Sequence, residues 1–277
     1  MTQRRSGFTI LEMLIALTIL AVIGGSLVRV LISQTHLFEK ASAQRDTRSV
    51  TRSAVNVISS DLRMVDAASG LVAASANTIV VRSPYAVGIV CGASGGGTAV
   101  SLAPADSAIF SNAGFSGYAW RDTLGAYNYV EAGASVAAGG AATCTAAGVT
   151  TLPGGRNVIV SPAMPAGALI AAPMLLEQRL RFEFKPSAIV PGANGLWRTI
   201  VASGSAEELA TPFTSTARFK FLVLNADSAQ SAVPSPLSDT RGIEFVLAAR
   251  SEYTAGGSAA PDSTLVRTAV FFRNRIN

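Results

Sequence analysis

Phe8-Thr9-Ile10-Leu11-Glu12-Met13-Leu14-Ile15-Ala16-Leu17-Thr18-Ile19-Leu20-Ala21-Val22-Ile23-Gly24-Gly25-Ser26-Leu27-Val28 is apolar almost throughout, with one carboxylate near its start. As a helix the run would rise roughly 30 Å, enough to cross the hydrocarbon core of a bilayer. Arg4 and Arg5 precede it. Positive charge ahead of a first span holds that end in the cytoplasm, so the remainder of the chain is exported. Arg29 at the far end suits this orientation, because long basic side chains reach back to the interface. Glu12 is the anomaly: an acidic side chain at mid-bilayer costs about 2.5–3.5 kcal/mol, less near the surface. An ordinary secretory signal lacks such a residue and ends in a small-x-small cleavage site, which Ala21-Val22-Ile23-Gly24-Gly25-Ser26 supplies poorly.

Beyond Val28 the texture changes without a break. All 12 prolines lie at or after Pro84, so residues 1–83 permit one long helix. From Arg29 to about Val65 the pattern is amphipathic. At 100° per residue Val50, Ala54, Val57, Met64 and Val65 share one face, opposite Arg45, Arg48, Arg52, Ser59, Arg63 and Asp66. Asp61 falls on the apolar face, where a polar contact is the one reading it allows. Residues 8–65 would make a rod of roughly 87 Å, weakened at Gly24-Gly25 by about 1 kcal/mol per glycine relative to alanine. The rod ends near Asp66-Ala67-Ala68-Ser69-Gly70.

Glycine, proline and short β-branched or aromatic runs then dominate. Strands are expected at Thr78–Arg82, Val87–Cys91, Asn157–Ser161, Leu176–Lys185, Trp197–Val201, Ala217–Leu224, Ile243–Ala249 and Leu265–Arg273. Arg179-Leu180-Arg181-Phe182-Glu183-Phe184-Lys185 alternates polar and apolar, as does Ala217-Arg218-Phe219-Lys220-Phe221. That alternation predicts antiparallel strands with one packed face, laid on the C-terminal half of the long helix. Trp120, Trp197, Phe182, Phe184, Phe219 and Phe221 read as core. Residues 132–150, rich in alanine and glycine, read as a loop. Cys144 lies within it, and Cys91 is the other cysteine. In an oxidising exported compartment the two are expected to pair. The fold class is therefore α+β: a long N-terminal helix, first membrane-spanning and then amphipathic, packed on a β-rich, mainly antiparallel C-terminal domain.

The composition argues against an enzyme. The chain of 277 residues has 22 basic and 17 acidic residues, a net charge of +5 and a single histidine. One histidine removes most hydrolase triads and histidine-based metal sites. Gly92-Ala93-Ser94-Gly95-Gly96 matches the G-x-S-x-G of a nucleophile elbow, yet glycine follows where a helix must start and His36 lies upstream in the rod. Ser94 is read as a turn residue and His36 as a surface residue of the rod. The glycines lack the Lys-Ser/Thr ending of a phosphate loop. Nothing in the spacing of Asp227, Asp239 and Asp262 supports calcium. No catalytic residue, metal or cofactor is expected, and the basic excess is too small and scattered for a nucleic-acid binder.

Arg4-Arg5-Ser6-Gly7-Phe8-Thr9-Ile10-Leu11-Glu12, followed by the apolar run, resembles the class III signal of type IV pilins and pseudopilins. The resemblance implies that prepilin peptidase cuts between Gly7 and Phe8 and N-methylates Phe8. The apolar segment then stays as membrane anchor and filament core. It implies the layout 1–7 leader, 8–28 membrane and filament-core helix, 29–66 amphipathic continuation and 67–277 exported domain. Glu12 becomes the fifth residue of the mature chain, where most such subunits carry glutamate. It would pair with the amine at Phe8, on its own chain or a neighbour, in the low-dielectric core of a filament. The partners implied are prepilin peptidase, other major and minor pilins or pseudopilins, and the inner membrane, with a cell-surface or periplasmic filament after assembly. The C-terminal segments Gly242–Ser251 and Asp262–Arg275 resemble the closing strands of PilW-like minor pilins. The J-type minor pseudopilin of type II secretion is the rival within the class, and a membrane-anchored periplasmic binding module the rival outside it.

Overall fold

A computed structural model describes residues 9–110, 113–122, 127–165 and 170–272. One helix, α1 (Ile10–Leu62), runs unbroken through Gly24 and Gly25. At 53 residues it is roughly 80 Å long. Thr9 caps it, Arg63 closes it, and the turn that follows is fixed by Asp66 Oδ2, which accepts from the Ala68 and Ser69 amides at 3.1 and 2.9 Å.

The rest is a single antiparallel sheet system. Its strands are β1 (Leu71–Ala74), β2 (Thr78–Ser94), β3 (Gly97–Leu102), β4 (Phe115–Arg121), β5 (Tyr127–Val130), β6 (Ser135–Ala138), β7 (Arg156–Ser161), β8 (Pro173–Pro186), β9 (Asn194–Ile200), β10 (Ala206–Phe213), β11 (Arg218–Val223), β12 (Thr240–Arg250) and β13 (Ser263–Phe271). Two short helices, α2 (Pro104–Phe110) and α3 (Ala141–Ala146), sit between strands. The main order is β11-β12-β10-β9-β8-β2-β3-β7-β6, with β1 on β2, β13 on β12, and the β4–β5 hairpin on β8. The expectation of a long helix feeding a mainly antiparallel domain matches this arrangement.

Every residue of α1 from Ile10 to Ser42 is exposed, and burial begins at Ala43. From there Ala43, Thr47, Thr51, Ala54, Ile58 and Leu62 recur at three- and four-residue steps and face the sheet. Ala54, Ile58 and Leu62 pack with Ile79, Val81, Leu180, Phe182, Leu196, Phe219 and Phe245 in the main core. Phe184 meets the Phe213 ring edge-on at 5.6 Å, and Phe219 meets Phe245 the same way at 5.8 Å. A second core, away from the rod, gathers Val90, Val100, Leu102, Tyr118, Val158, Met174 and Leu176.

Several expectations need correcting. The buried stripe contains Thr47 and Thr51, which the hydrophobic pattern passed over, because their hydroxyls are satisfied: Thr51 donates to the Thr47 carbonyl at 2.8 Å. Met64 is exposed, since the helix ends at Leu62 and the 100° repeat stops with it. Thr78–Arg82 and Val87–Cys91 are one strand, β2, which carries a register shift between Pro84 and Ala86. Residues 132–150 are not simply a loop: they hold β6 and α3, which pack on β7 and beside β2. Trp120 is half-buried but packs against the second core, whereas Trp197 is half-buried outside both cores. The end of the expected strand Leu265–Arg273 falls at Arg273, outside the described residues.

Candidate functional site

The N-terminus of α1 is built by two side chains that satisfy each other's backbone. Thr9 Oγ1 accepts from the Glu12 amide at 3.3 Å, and Glu12 Oε2 accepts from the Thr9 amide at 2.9 Å and its hydroxyl at 3.1 Å. This reciprocal capping box closes two of the amides that a helix start leaves open. It also places a negative charge in the first turn, at the positive end of the helix macrodipole. Thr9-x-x-Glu12 is a capping signature in the sequence, and the charge of Glu12 alone does not reveal it. The box uses nothing before Thr9, so it survives a cut between Gly7 and Phe8. Gly7 and Phe8 themselves lie outside the described residues.

Above the box stretches a helical surface of Ile10, Leu14, Leu17, Leu20, Val22, Leu27 and their neighbours, with Ile10 83% exposed and Val22 73%. Monomeric soluble domains do not leave apolar patches of this extent open; lipid or other helices cover them. The helix is long and apolar enough to cross a membrane. Thr18 and Ser26 donate to the Ile15 and Ile23 carbonyls at 2.8 Å, which removes their polarity from the surface.

Residues 2–28 match the model of the prokaryotic N-terminal methylation motif. The match supports a type IV pilin-like prepilin signal and hence a pilin-like or pseudopilin protein. It points to a structural subunit, to processing by prepilin peptidase and to assembly with other pilins. Together with the exposed apolar helix it supports membrane anchoring by the N-terminus. No curated protein and no solved structure shows a significant match to the chain.

The domain is braced by contacts that join distant segments. Cys91 at the end of β2 and Cys144 in α3 are disulfide-bonded, both buried, across 53 residues of sequence. Arg198 on β9 bridges Asp61 of the rod, at 3.2 Å, and Glu207 on β10. Glu131 accepts from Arg179 Nε at 2.9 Å and Nη2 at 2.5 Å, and from Arg82 Nη2 at 2.6 Å. Arg82 also donates to the Ser69 carbonyl, in the turn just after the rod. Burial pushes Glu131 up, but the two guanidiniums outweigh it and hold its carboxyl at about 2. The same arginine only partly offsets the burial of Glu177, which is 2% exposed and pushed up to about 8. These partners lie too far apart in sequence for any local motif to announce them.

Ser94 sits where β2 turns through Gly95 and Gly96 into β3, with both glycines at positive φ. His36 stands on the rod, remote in sequence from that turn, against Gly256 and Gly257 of the β12–β13 connection. Among the described residues no three His, Cys, Asp or Glu side chains gather as metal ligands.

Proposed function

We propose that this chain is a minor pilin of a type IV filament, cut between Gly7 and Phe8, methylated at Phe8 and assembled through its N-terminal helix. The observation that carries the reading is the coincidence of the methylation motif at residues 2–28 with an α1 whose first 33 residues are exposed. Residues 8–28 serve as membrane anchor before assembly and as filament core afterwards. Residues 29–66 continue the rod, and 67–277 form the exported head. Lipid solvates the apolar helix first; neighbouring helices solvate it later, so transfer between the two needs little net hydrophobic change. Direction and register must then come from a polar device, and Glu12 beside the new ammonium at Phe8 supplies it. The large braced head suits a place at or near the filament tip, where lateral crowding is least.

The test is fractionation. Sheared surface filaments from cells with an active prepilin peptidase should contain the chain at low abundance. Cells lacking the peptidase should hold it uncut in the inner membrane. A chain confined to a short periplasmic filament, released with a secretion apparatus and never with surface fibres, would favour a J-type pseudopilin. A chain found in neither filament would leave only the anchored binding module.

A further inference from the structure

We propose that Arg29, His36 and Lys40, beneath the β12–β13 connection, form a site for the phosphate of an anionic phospholipid headgroup. The lipid belongs to the leaflet facing the exported head, and the inference rests on reading residues 8–28 as the membrane-spanning part of α1.

The placement follows from helix geometry. Arg29 is the first residue after the apolar run, so its guanidinium stands at the level where the headgroup layer begins. His36 and Lys40 follow at seven and eleven residues, which returns each to within about 20° of Arg29 around the helix. Lys40 lies roughly 16 Å farther along the axis. Helical side chains lean toward the N-terminus, however, so its ammonium reaches back down toward the membrane. All three are exposed, and none forms an ion pair among the described residues.

This face is roofed. It is the face that farther along packs against the sheet, and here the connection Gly256-Gly257-Ser258 overhangs it. The Gly256 amide donates to Glu39 Oε2 at 2.7 Å, which pins the overhang to the rod. A Cβ at Gly256 would lie 2.7 Å from His36 Cδ2, and one at Gly257 3.2 Å from His36 Nδ1. Gly257 also has a φ of +78°, a conformation that side chains rarely adopt. The two glycines therefore let the overhang approach the imidazole while leaving a recess of about 440 Å³. Ser33 and Ser258 line it with polar residues, and Ile32 and Leu37 add apolar lining. Among the described residues no acid lines this recess: Glu39, turned to the Gly256 amide, lines the neighbouring one with Asp46 and Glu252.

A guanidinium and an ammonium, with an imidazole and two hydroxyls between them, suit a phosphodiester monoanion. The apolar lining, directly after the membrane-spanning run, suits one attached to acyl chains. Bound lipid would hold the head at a fixed height over the membrane until assembly draws the rod out.

The test uses the full chain in nanodiscs of phosphatidylcholine alone or mixed with phosphatidylglycerol. Native mass spectrometry after release reads which lipid is retained. Because the chain has one histidine, imidazole NMR reads His36 without assignment ambiguity. Phosphatidylglycerol should be retained roughly 10–30-fold over phosphatidylcholine, about fivefold per basic residue near an anionic surface. It should also shift the His36 resonances. The double variant Arg29→Gln/Lys40→Gln should lose both effects, and Arg48→Gln/Arg52→Gln, on the opposite flank, should keep them. Equal retention of the two lipids, or loss with the control variant as well, would overturn the site. A His36 shift produced equally by inorganic phosphate in lipid-free detergent would overturn the lipid as its ligand. A chain that fails to enter nanodiscs would overturn the membrane reading itself, and is distinguished by its absence from the disc fraction.

Discussion

Asp61 near the end of the rod and Arg198 on β9, 137 residues apart in sequence, meet with Arg198 Nη1 donating to Asp61 Oδ2 at 3.2 Å. The contact fastens the helix to the sheet it lies on, and it explains the carboxylate that hydrophobic patterning left on the apolar face. Burial raises the pKa of Asp61 more than Arg198 lowers it. The charged form is thus a net burden in the folded state. Since the folded pKa exceeds the unfolded one, the contribution of Asp61 is present in full below the unfolded value and is lost as pH rises through the folded value.

Asp61→Asn should therefore leave stability at pH 7 unchanged or slightly raised. Arg198→Met, which strands a half-buried carboxylate, should cost about 1–3 kcal/mol. Urea unfolding of the detergent-solubilised chain, followed by the emission of neighbouring Trp197, measures both. Equal losses in the two variants would contradict the assignment.

Glu177 makes a second pH-dependent element. Burial leads its upward shift to about 8, Arg82 opposes it, and Glu131 and Asp66 reinforce it. Its folded pKa lies above the unfolded value near 4.5, so its contribution is lost as pH climbs from about 4.5 to 8, by at most ~1.4 kcal/mol per pH unit. Glu177→Gln should flatten that slope, and its melting temperature should exceed the parent's by more at pH 8 than at pH 5. A constant difference across that range would show that Glu177 is ionised throughout.

The Cys91–Cys144 bond closes 53 residues. In the chain-entropy model a loop of that size contributes about 4 kcal/mol. Replacing both cysteines by alanine, or adding reductant, should lower the melting temperature by many degrees while leaving the far-UV circular dichroism at low temperature native-like. An unchanged transition would mean that packing around α3 already secures the segment.

The helix and the alternating strands were legible because each carries a period that a short window displays. Phe182, Phe184, Phe219 and Phe221 were placed in the core by the same alternation. Strands β3 and β10 were missed for opposite reasons. Gly97–Leu102 is buried on both faces and shows no alternation, while Ala206–Phe213 contains Pro212. In α3, six small residues fold as a helix because Cys144 ties it to β2 and buries it; alanine and glycine content alone announced a loop. Of the candidate site, the pairing of the two cysteines was legible. The Arg82–Glu131–Arg179 cluster was not, since sheet topology, not spacing, brings it together.

Glu12 has two roles that a pair of variants separates. Glutamine at the same position can still close the capping box with Thr9, but carries no charge. Leucine removes both. Both variants should be cut normally, and both should fall at least tenfold in filament incorporation, measured by immunoblot of sheared fibres. Wild-type incorporation of Glu12→Gln would show that capping, not pairing with an ammonium, is what assembly needs.

Intact-mass and peptide mass spectrometry of the chain purified from its native membrane tests the central claim most directly. The first residue should be Phe8 bearing one N-methyl group, with residues 1–7 gone and the apolar helix retained. A chain that still begins at Met1, or one cut near Gly25 with the helix removed, would contradict it.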